Sequence, residues 1–218
     1  MQILQYRNSY TETFKMKCNI CGSTLKQYVL LGVSSGQQTE LCPKCQAACV
    51  EEVRAVNKAM ISKHLESQHV PIRYHEARLQ KEHLAFPSGR EVQNGEKGLY
   101  IFGDSGVGKT WLLVAWMKYY LSKGAACTYV DWSDFMVDLR MDIKTYQTKK
   151  AYILRSDCVF IDDFDSSNSY MYDVIYNLIN SLYSCGKVLF LTSIDLPTQP
   201  KIAMRLGEIT SQLHVIRQ

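Results

Sequence analysis

Gly98-Leu-Tyr-Ile-Phe-Gly103-Asp104-Ser105-Gly106-Val107-Gly108-Lys109-Thr110 is the stretch on which the fold turns. Leu99 to Phe102 are apolar throughout, as in a buried strand, and Thr110 to Leu121 places Leu112, Leu113, Ala115, Trp116 and Met117 in a helical pattern. Between them stands GxxxxGK[ST] in full, in the strand–loop–helix setting that its mechanism needs. Its glycines let successive backbone N–H groups turn toward an anion. The helix beginning near Lys109 adds the positive end of its dipole. On this reading residues 103–110 cradle the phosphates of ATP, Lys109 reaches the β- and γ-phosphates, and the Thr110 hydroxyl ligates Mg2+.

Apolar runs and helical patterns alternate from here to the end of the chain. Cys127–Val130, Cys158–Ile161, Val188–Leu191 and Leu213–Ile216 read as further strands. The expectation is an α/β fold: a five-stranded parallel sheet covered by helices on both faces, over residues 98–218. Val159-Phe-Ile-Asp162-Asp163 brings two carboxylates to the C-terminal end of a strand, where ligands of open α/β sheets bind. Asp162 is the expected Mg2+ ligand, and Asp163 the group that orients or deprotonates the attacking water. Thr192 and Ser193 end the next strand, at the height of a γ-phosphate. Arg205 follows a proline-containing loop and is the candidate arginine finger, acting across a subunit interface.

Upstream lies a different kind of sequence. Cys18-Asn-Ile-Cys21 and Cys42-Pro-Lys-Cys45 form two CxxC pairs separated by 20 residues. That is the arrangement of a tetrahedral structural Zn2+ site, in which the metal replaces a core that so short a segment cannot build. A redox pair is the competing reading, and Cys49, His64 and His69 are lower-ranked ligands. A short hairpin is expected around Tyr28–Leu31, inside the insert between the pairs. A helix follows, with Val50, Val53, Met60, Ile61, His64 and Leu65 near one face, broken at Pro71. Three domains of the map result: residues 1–70 with the zinc module and its trailing helix, a linker over 71–97, and the ATPase core over 98–218.

Composition sets the remaining limits. A hydrophobic fraction of 46% over 218 residues supports a real core. No apolar run reaches the roughly 20 residues of a membrane span, and the N-terminus lacks a signal-peptide core, so no membrane partner and a cytoplasmic location are expected. Cys127, Cys158 and Cys185 sit singly in apolar stretches and read as small buried hydrophobes in a reducing compartment. The net charge of +4 resides in residues 1–98, which carry 13 Lys and Arg against 9 Glu; residues 99–218 are neutral. A mildly basic N-terminal half permits contact with nucleic acid or an acidic partner. Trp132, Phe135, Tyr146, Lys144, Lys149 and Lys150 offer two readings: a base-stacking, phosphate-holding surface, or an amphipathic helix pair with its aromatic rings in the core.

The order of these features resembles the DnaC/DnaI-type replicative helicase loaders and their relative, the IstB transposition ATPase, within the AAA+ class. The resemblance rests on the cysteine module, the helix, Val70-Pro-Ile-Arg-Tyr74, the Gly98–Thr110 stretch, Ile161-Asp-Asp163, Leu191-Thr-Ser193 and Arg205-Leu206, and it runs from about residue 18 to the end. It implies an ATPase that self-associates around ATP, an N-terminal domain that grips the hexameric replicative helicase, and a core that contacts single-stranded DNA in replication initiation. The location implied is a bacterial cytoplasm, or that of a host if the chain is phage-encoded. The zinc module favours a loader, and an IstB-like regulator of transposition or DNA targeting is the alternative. Ile194 stands where the family commonly has Asn, which moves the sensor role to Thr192 or Ser193, and Asp165 stands where Gly often follows. Asp163 is shorter than the Glu of many such ATPases, so hydrolysis is expected to be slow and stimulated by DNA or a partner. No substantial C-terminal lid is expected after Arg205.

Overall fold

The computed structural model describes residues 11–17, 24–30, 43–80, 97–167 and 171–216. The chain divides into two compact units, Met1–Ala59 and Met60–Gln218.

In the first unit, β1 (Thr11–Lys17) pairs antiparallel with β2 (Thr24–Leu30), from Thr11 opposite Leu30 to Lys17 opposite Thr24. The hairpin therefore brackets Cys18 and Cys21 rather than forming inside the insert that follows them. Helix α1 (Pro43–Ser67) begins seven residues before the apolar face that betrays it, so Cys45 lies in its first turn and is buried. Pro43 at the first helical position explains the early start: its missing N–H would lack a partner there in any case. Cys18, Cys21 and Cys42 lie outside the described residues.

Helix α1 ends in the second unit by a Schellman motif. Val70 N–H donates to Leu65 O and His69 N–H to Glu66 O, both at 3.0 Å, with His69 in the left-handed region at φ 56°. The helix thus stops before Pro71 acts on it. Leu65 and Val70, the apolar pair that accompanies such a cap, are both buried, as is Ala77 beyond the 3₁₀ turn at Ile72–Tyr74. All three belong to the core of the ATPase unit. Residues 60–80, read from sequence as helix end and linker, are therefore built into that core.

Four strands form where the sequence is apolar, β3 (Gly98–Phe102), β4 (Cys127–Asp131), β5 (Cys158–Asp162) and β6 (Val188–Ser193), and a fifth, β7 (Thr210–His214), where it is mostly polar. All pair in parallel, in the order β4-β5-β6-β3-β7. Period-two alternation splits them between two core layers. Leu99, Ile101, Cys158, Phe160 and Phe190 face α2 (Lys109–Ser122). Tyr100, Val159, Ile161, Leu189 and Leu191 face the layer of α3 (Trp132–Met141), α4 (Ile143–Ile153), α5 (Tyr172–Ser184) and α6 (Pro200–Ile209). Strand β7 starts at Thr210, three residues before the apolar run that predicted it. As an edge strand with alternate residues exposed, it has no need of a continuous apolar sequence.

Cys127 and Cys158 are buried as expected, whereas Cys185 is exposed just past the end of α5. The two readings of the basic and aromatic segment are also resolved. Trp132 and Phe135 stack at 5.5 Å and are 3% and 4% exposed, and Tyr146 packs against Phe135. These rings are core, Lys149 is paired with Asp138, and Lys150 donates to Asn177.

Candidate nucleotide site

The P-loop joins the end of β3 to the start of α2, and glycine is required at both of its ends. Gly103 has φ 144°, and a Cβ there would lie 2.2 Å from Val215 O, where the chain passes beyond β7. Gly108 caps α2 at φ 98°. Lys109 is buried, and its Nζ donates to Gly103 O at 2.8 Å and Asp104 O at 2.9 Å. The ammonium is thus held over the loop whose amides would hold phosphate.

Sheet order delivers the acidic half. Strand β6 lies between β3 and β5, so its C-terminal end adjoins both the P-loop and the carboxylates. Asp162 is 6% exposed. Its Oδ1 accepts from Thr110 Oγ1 at 3.0 Å and from Thr192 Oγ1 at 2.6 Å, and its Oδ2 accepts from Tyr129 OH at 2.9 Å. The Thr192 hydroxyl also accepts from Asp163 N–H at 2.8 Å, while Thr192 O accepts from Phe164 N–H. One buried hydroxyl therefore fixes both acidic residues. Asp163 sits in the left-handed region at φ 53°, a conformation Asp tolerates better than most residues. Partial desolvation raises its pKa, as does the charge of Asp162, while Lys109 opposes the rise. Burial likewise raises Tyr129, reinforced by Asp162.

Lys109 and Asp163 open onto a cavity of about 590 Å3 lined also by Ser105, Phe164, Asp165, Ser166, Ser193 and Asp195. Trp132 Nε1 donates to Asp165 O at 2.9 Å and pins the loop after β5. Ser193 lines the cavity, whereas the Thr192 hydroxyl is committed between the Asp162 carboxylate and the Asp163 amide. Ile194, in the place of the family's Asn, is 60% exposed. Arg205 is not brought to this cavity. Its guanidinium donates to Glu208 at 2.8 Å and lies 4.4 Å over the Tyr183 ring, on the surface of α5 and α6.

Thr110, Asp162, Asp163 and Thr192 thus meet around one carboxylate. Tyr129 escaped sequence reasoning, because a tyrosine inside an apolar strand reads as core until its neighbour across the sheet is known. His64, a lower-ranked zinc ligand, has its Nε2 2.9 Å from Cys127 O and serves the ATPase unit instead. Among the described residues no three His, Cys, Asp or Glu side chains gather as a metal cage. No described helix is long and apolar enough to cross a membrane.

The bacterial DnaA ATPase domain family matches residues 77–213, well over half of the chain. The chain belongs to that family. It is 31% identical over 105 residues to the chromosomal replication initiator protein DnaA of Aliarcobacter butzleri (strain RM4018), a match covering 46% of this chain and 24% of that protein. The chain thus spans about a quarter of the length of this curated relative. Among solved structures, DnaI aligns with a TM-score of 0.54 at 20% identity, covering 67% of this chain and 80% of that one. The DnaC helicase loader aligns with a TM-score of 0.52 at 24% identity, covering 66% and 99%. At such identities the likeness is one of fold: a parallel α/β sheet carrying a P-loop.

Proposed function

We propose that this chain is an ATP-dependent replicative helicase loader, which binds the hexameric helicase and delivers it to single-stranded DNA in replication initiation. The observation that carries the reading is the Lys109–Thr110–Asp162–Asp163 constellation, set on a fold shared with DnaI and with a structure described as a helicase loader. The match to the DnaA ATPase domain supports the wider assignment to replication initiation.

The donor set fits Mg2+. A hydroxyl and a carboxylate, both hard oxygen donors, stand 3.0 Å apart beside the phosphate-binding lysine, and Mg2+ commonly takes one or two protein oxygens plus phosphates and water. Thr110 and Asp162 would hold it; bound, it neutralises charge on the β- and γ-phosphate oxygens. Lys109 swings from the loop carbonyls to the phosphates. Asp163, at the cavity wall, orients the attacking water and accepts its proton, while Ser193 contacts the γ-phosphate. Arg205 acts on the site of a neighbouring subunit in an assembly around ATP. Zn2+ on Cys18, Cys21, Cys42 and Cys45 shapes the helicase-docking surface of the N-terminal unit. Support for this comes from the hairpin that flanks the first pair and from Cys45 at the start of α1.

The test is co-purification and size analysis with the replicative helicase of the same host, in ATP and in ADP. A nucleotide-sensitive complex that Cys18→Ser abolishes and Lys109→Ala weakens supports the reading. No complex under any nucleotide condition overturns it and transfers the weight to an IstB-like role in DNA targeting.

A further inference from the structure

The mechanism leaves one contact of the Asp162 carboxylate unused. Thr110 and Thr192 both donate to Oδ1, and the other oxygen is held by Tyr129 alone among the described side chains. Two donors on one oxygen leave rotation of the carboxylate plane poorly defined, because the terminal torsion of Asp is broad. A third donor on Oδ2 fixes it. We propose that Tyr129 is a positioning residue for Mg2+: its phenol locks the plane of Asp162 so that Oδ1, shared with Thr110, faces the metal.

Tyr129 is well placed for this. It occupies the same sheet face as Asp162, since it stands opposite Phe160 in the β4–β5 register and Asp162 lies two residues further along β5. Its ring is 8% exposed in the α2-side core, so the phenol has little freedom. Strand β4 is an edge of the sheet, and its outer side is secured by α1 and the turn that follows. Gln68 Oε1 accepts from Tyr129 N–H at 3.3 Å, and His64 caps Cys127 O. The residue is thus anchored at its backbone from one side and spends its hydroxyl on the carboxylate at the other. Partners that orient a metal-binding carboxylate are worth about ten- to a hundredfold in metal affinity.

The inference rests on the reading of the site as one for Mg2+–ATP. The test is equilibrium binding of a fluorescent ATP analogue to the full chain, titrated with Mg2+, alongside the same binding in EDTA and the Mn2+ electron paramagnetic resonance spectrum with ADP. Tyr129→Phe removes only the hydroxyl. The expected result is a rise of about tenfold or more in half-saturating Mg2+, an altered Mn2+ spectrum, and unchanged binding in EDTA. Thr128→Val is the structural control: it breaks the buried Thr128–Ser156 hydroxyl pair next door and is expected to lower stability without moving the Mg2+ midpoint. Should Tyr129→Phe fold poorly, Gln68→Ala loosens the same residue from outside and is expected to give a smaller shift of the same kind. A Tyr129→Phe midpoint equal to wild type, or equal losses with and without metal, overturns the inference and leaves the nucleotide reading intact. Absence of Mg2+-dependent binding in the wild type overturns both.

Discussion

Thr192→Val is the substitution that most sharply separates polar from apolar bookkeeping at this site. The side chain is wholly buried, and valine has nearly its shape. What valine lacks is the hydroxyl that donates to Asp162 Oδ1 at 2.6 Å and accepts from Asp163 N–H at 2.8 Å. Losing a hydrogen bond to a charged group costs about 1.5–3 kcal/mol, and a buried N–H left without a partner about 1–3 kcal/mol more. Removing the desolvated hydroxyl itself recovers part of this, leaving a net loss of roughly 2–4 kcal/mol. For a unit of this size that corresponds to a fall in Tm of roughly 5–12 °C. Thr192→Ser keeps both hydrogen bonds and deletes one buried methyl, a loss of about 1 kcal/mol. Serine is therefore expected to be better tolerated than valine, although valine is the more hydrophobic and the closer in volume. Urea unfolding followed by tryptophan fluorescence reads the right unit, because Trp111, Trp116 and Trp132 all lie in residues 60–218. A valine variant as stable as the serine variant would refute the bridging role of Thr192, whatever happened to turnover.

Other outcomes follow from particular contacts. Asp142 caps α4 by accepting from Lys144 N–H and Thr145 N–H, and these bonds hold its pKa below the ordinary 3.8. A depressed carboxylate stabilises above its unfolded pKa and loses that contribution as pH falls through the folded one. Asp142→Ala is thus expected to lower the urea midpoint at pH 7 and to match wild type near the acid limit. Arg205→Ala is expected to leave ATP binding by dilute protein unchanged, since Arg205 rests on Glu208 and Tyr183. In the assembled protein it is expected to cut turnover by about a thousandfold, as loss of an arginine finger does; equal turnover would remove it from the mechanism. Chelation is expected to release about one zinc per chain and melt the N-terminal unit, with tryptophan fluorescence of the ATPase unit unaltered. Metal analysis of the purified protein that finds no zinc would exclude the site.

Legibility in the sequence followed the kind of constraint each element obeys. The P-loop was legible because its chemistry demands glycines and a lysine at fixed spacing, and β3, β4, β5 and β6 because strands buried on both faces must be apolar throughout. Strand β7 was displaced because, with alternate residues exposed, it lacks that demand. The start of α1 was hidden because its first turns carry no apolar face, and its end was credited to Pro71 when a Schellman cap at His69 sets it. At the site, the sequence named Thr110, Asp162, Asp163 and Thr192 one by one, but not the hydrogen bonds that join them. Thr192 and Ser193 are equivalent in sequence, and only the sheet order shows that one is held between the Asp162 carboxylate and the Asp163 amide while the other meets the cavity.

That division follows from register. Leu191 stands opposite Ile161 on one side and Tyr100 on the other, so Thr192 is the residue at which β6 draws level with Asp162 on β5 and with Ile101 on β3. A side chain there points to the α2 face, toward Thr110 and Asp162. The next residue, Ser193, points to the opposite face and lines the cavity at the C-terminal end of the sheet. The position expected to be asparagine from the resemblance to the loaders comes one place later still, where Ile194 O accepts from Gly103 N–H and the side chain is exposed. The Thr192 hydroxyl donates to Asp162 and accepts from the Asp163 amide, so it has no donor left, and on the proposed function contact with the γ-phosphate is left to Ser193. A shorter side chain on the cavity wall makes a weaker sensor than asparagine, and so does an aspartate in place of glutamate as a base. On the proposed function, both departures are expected to act in the same direction, toward slow unassisted turnover that DNA or a partner stimulates.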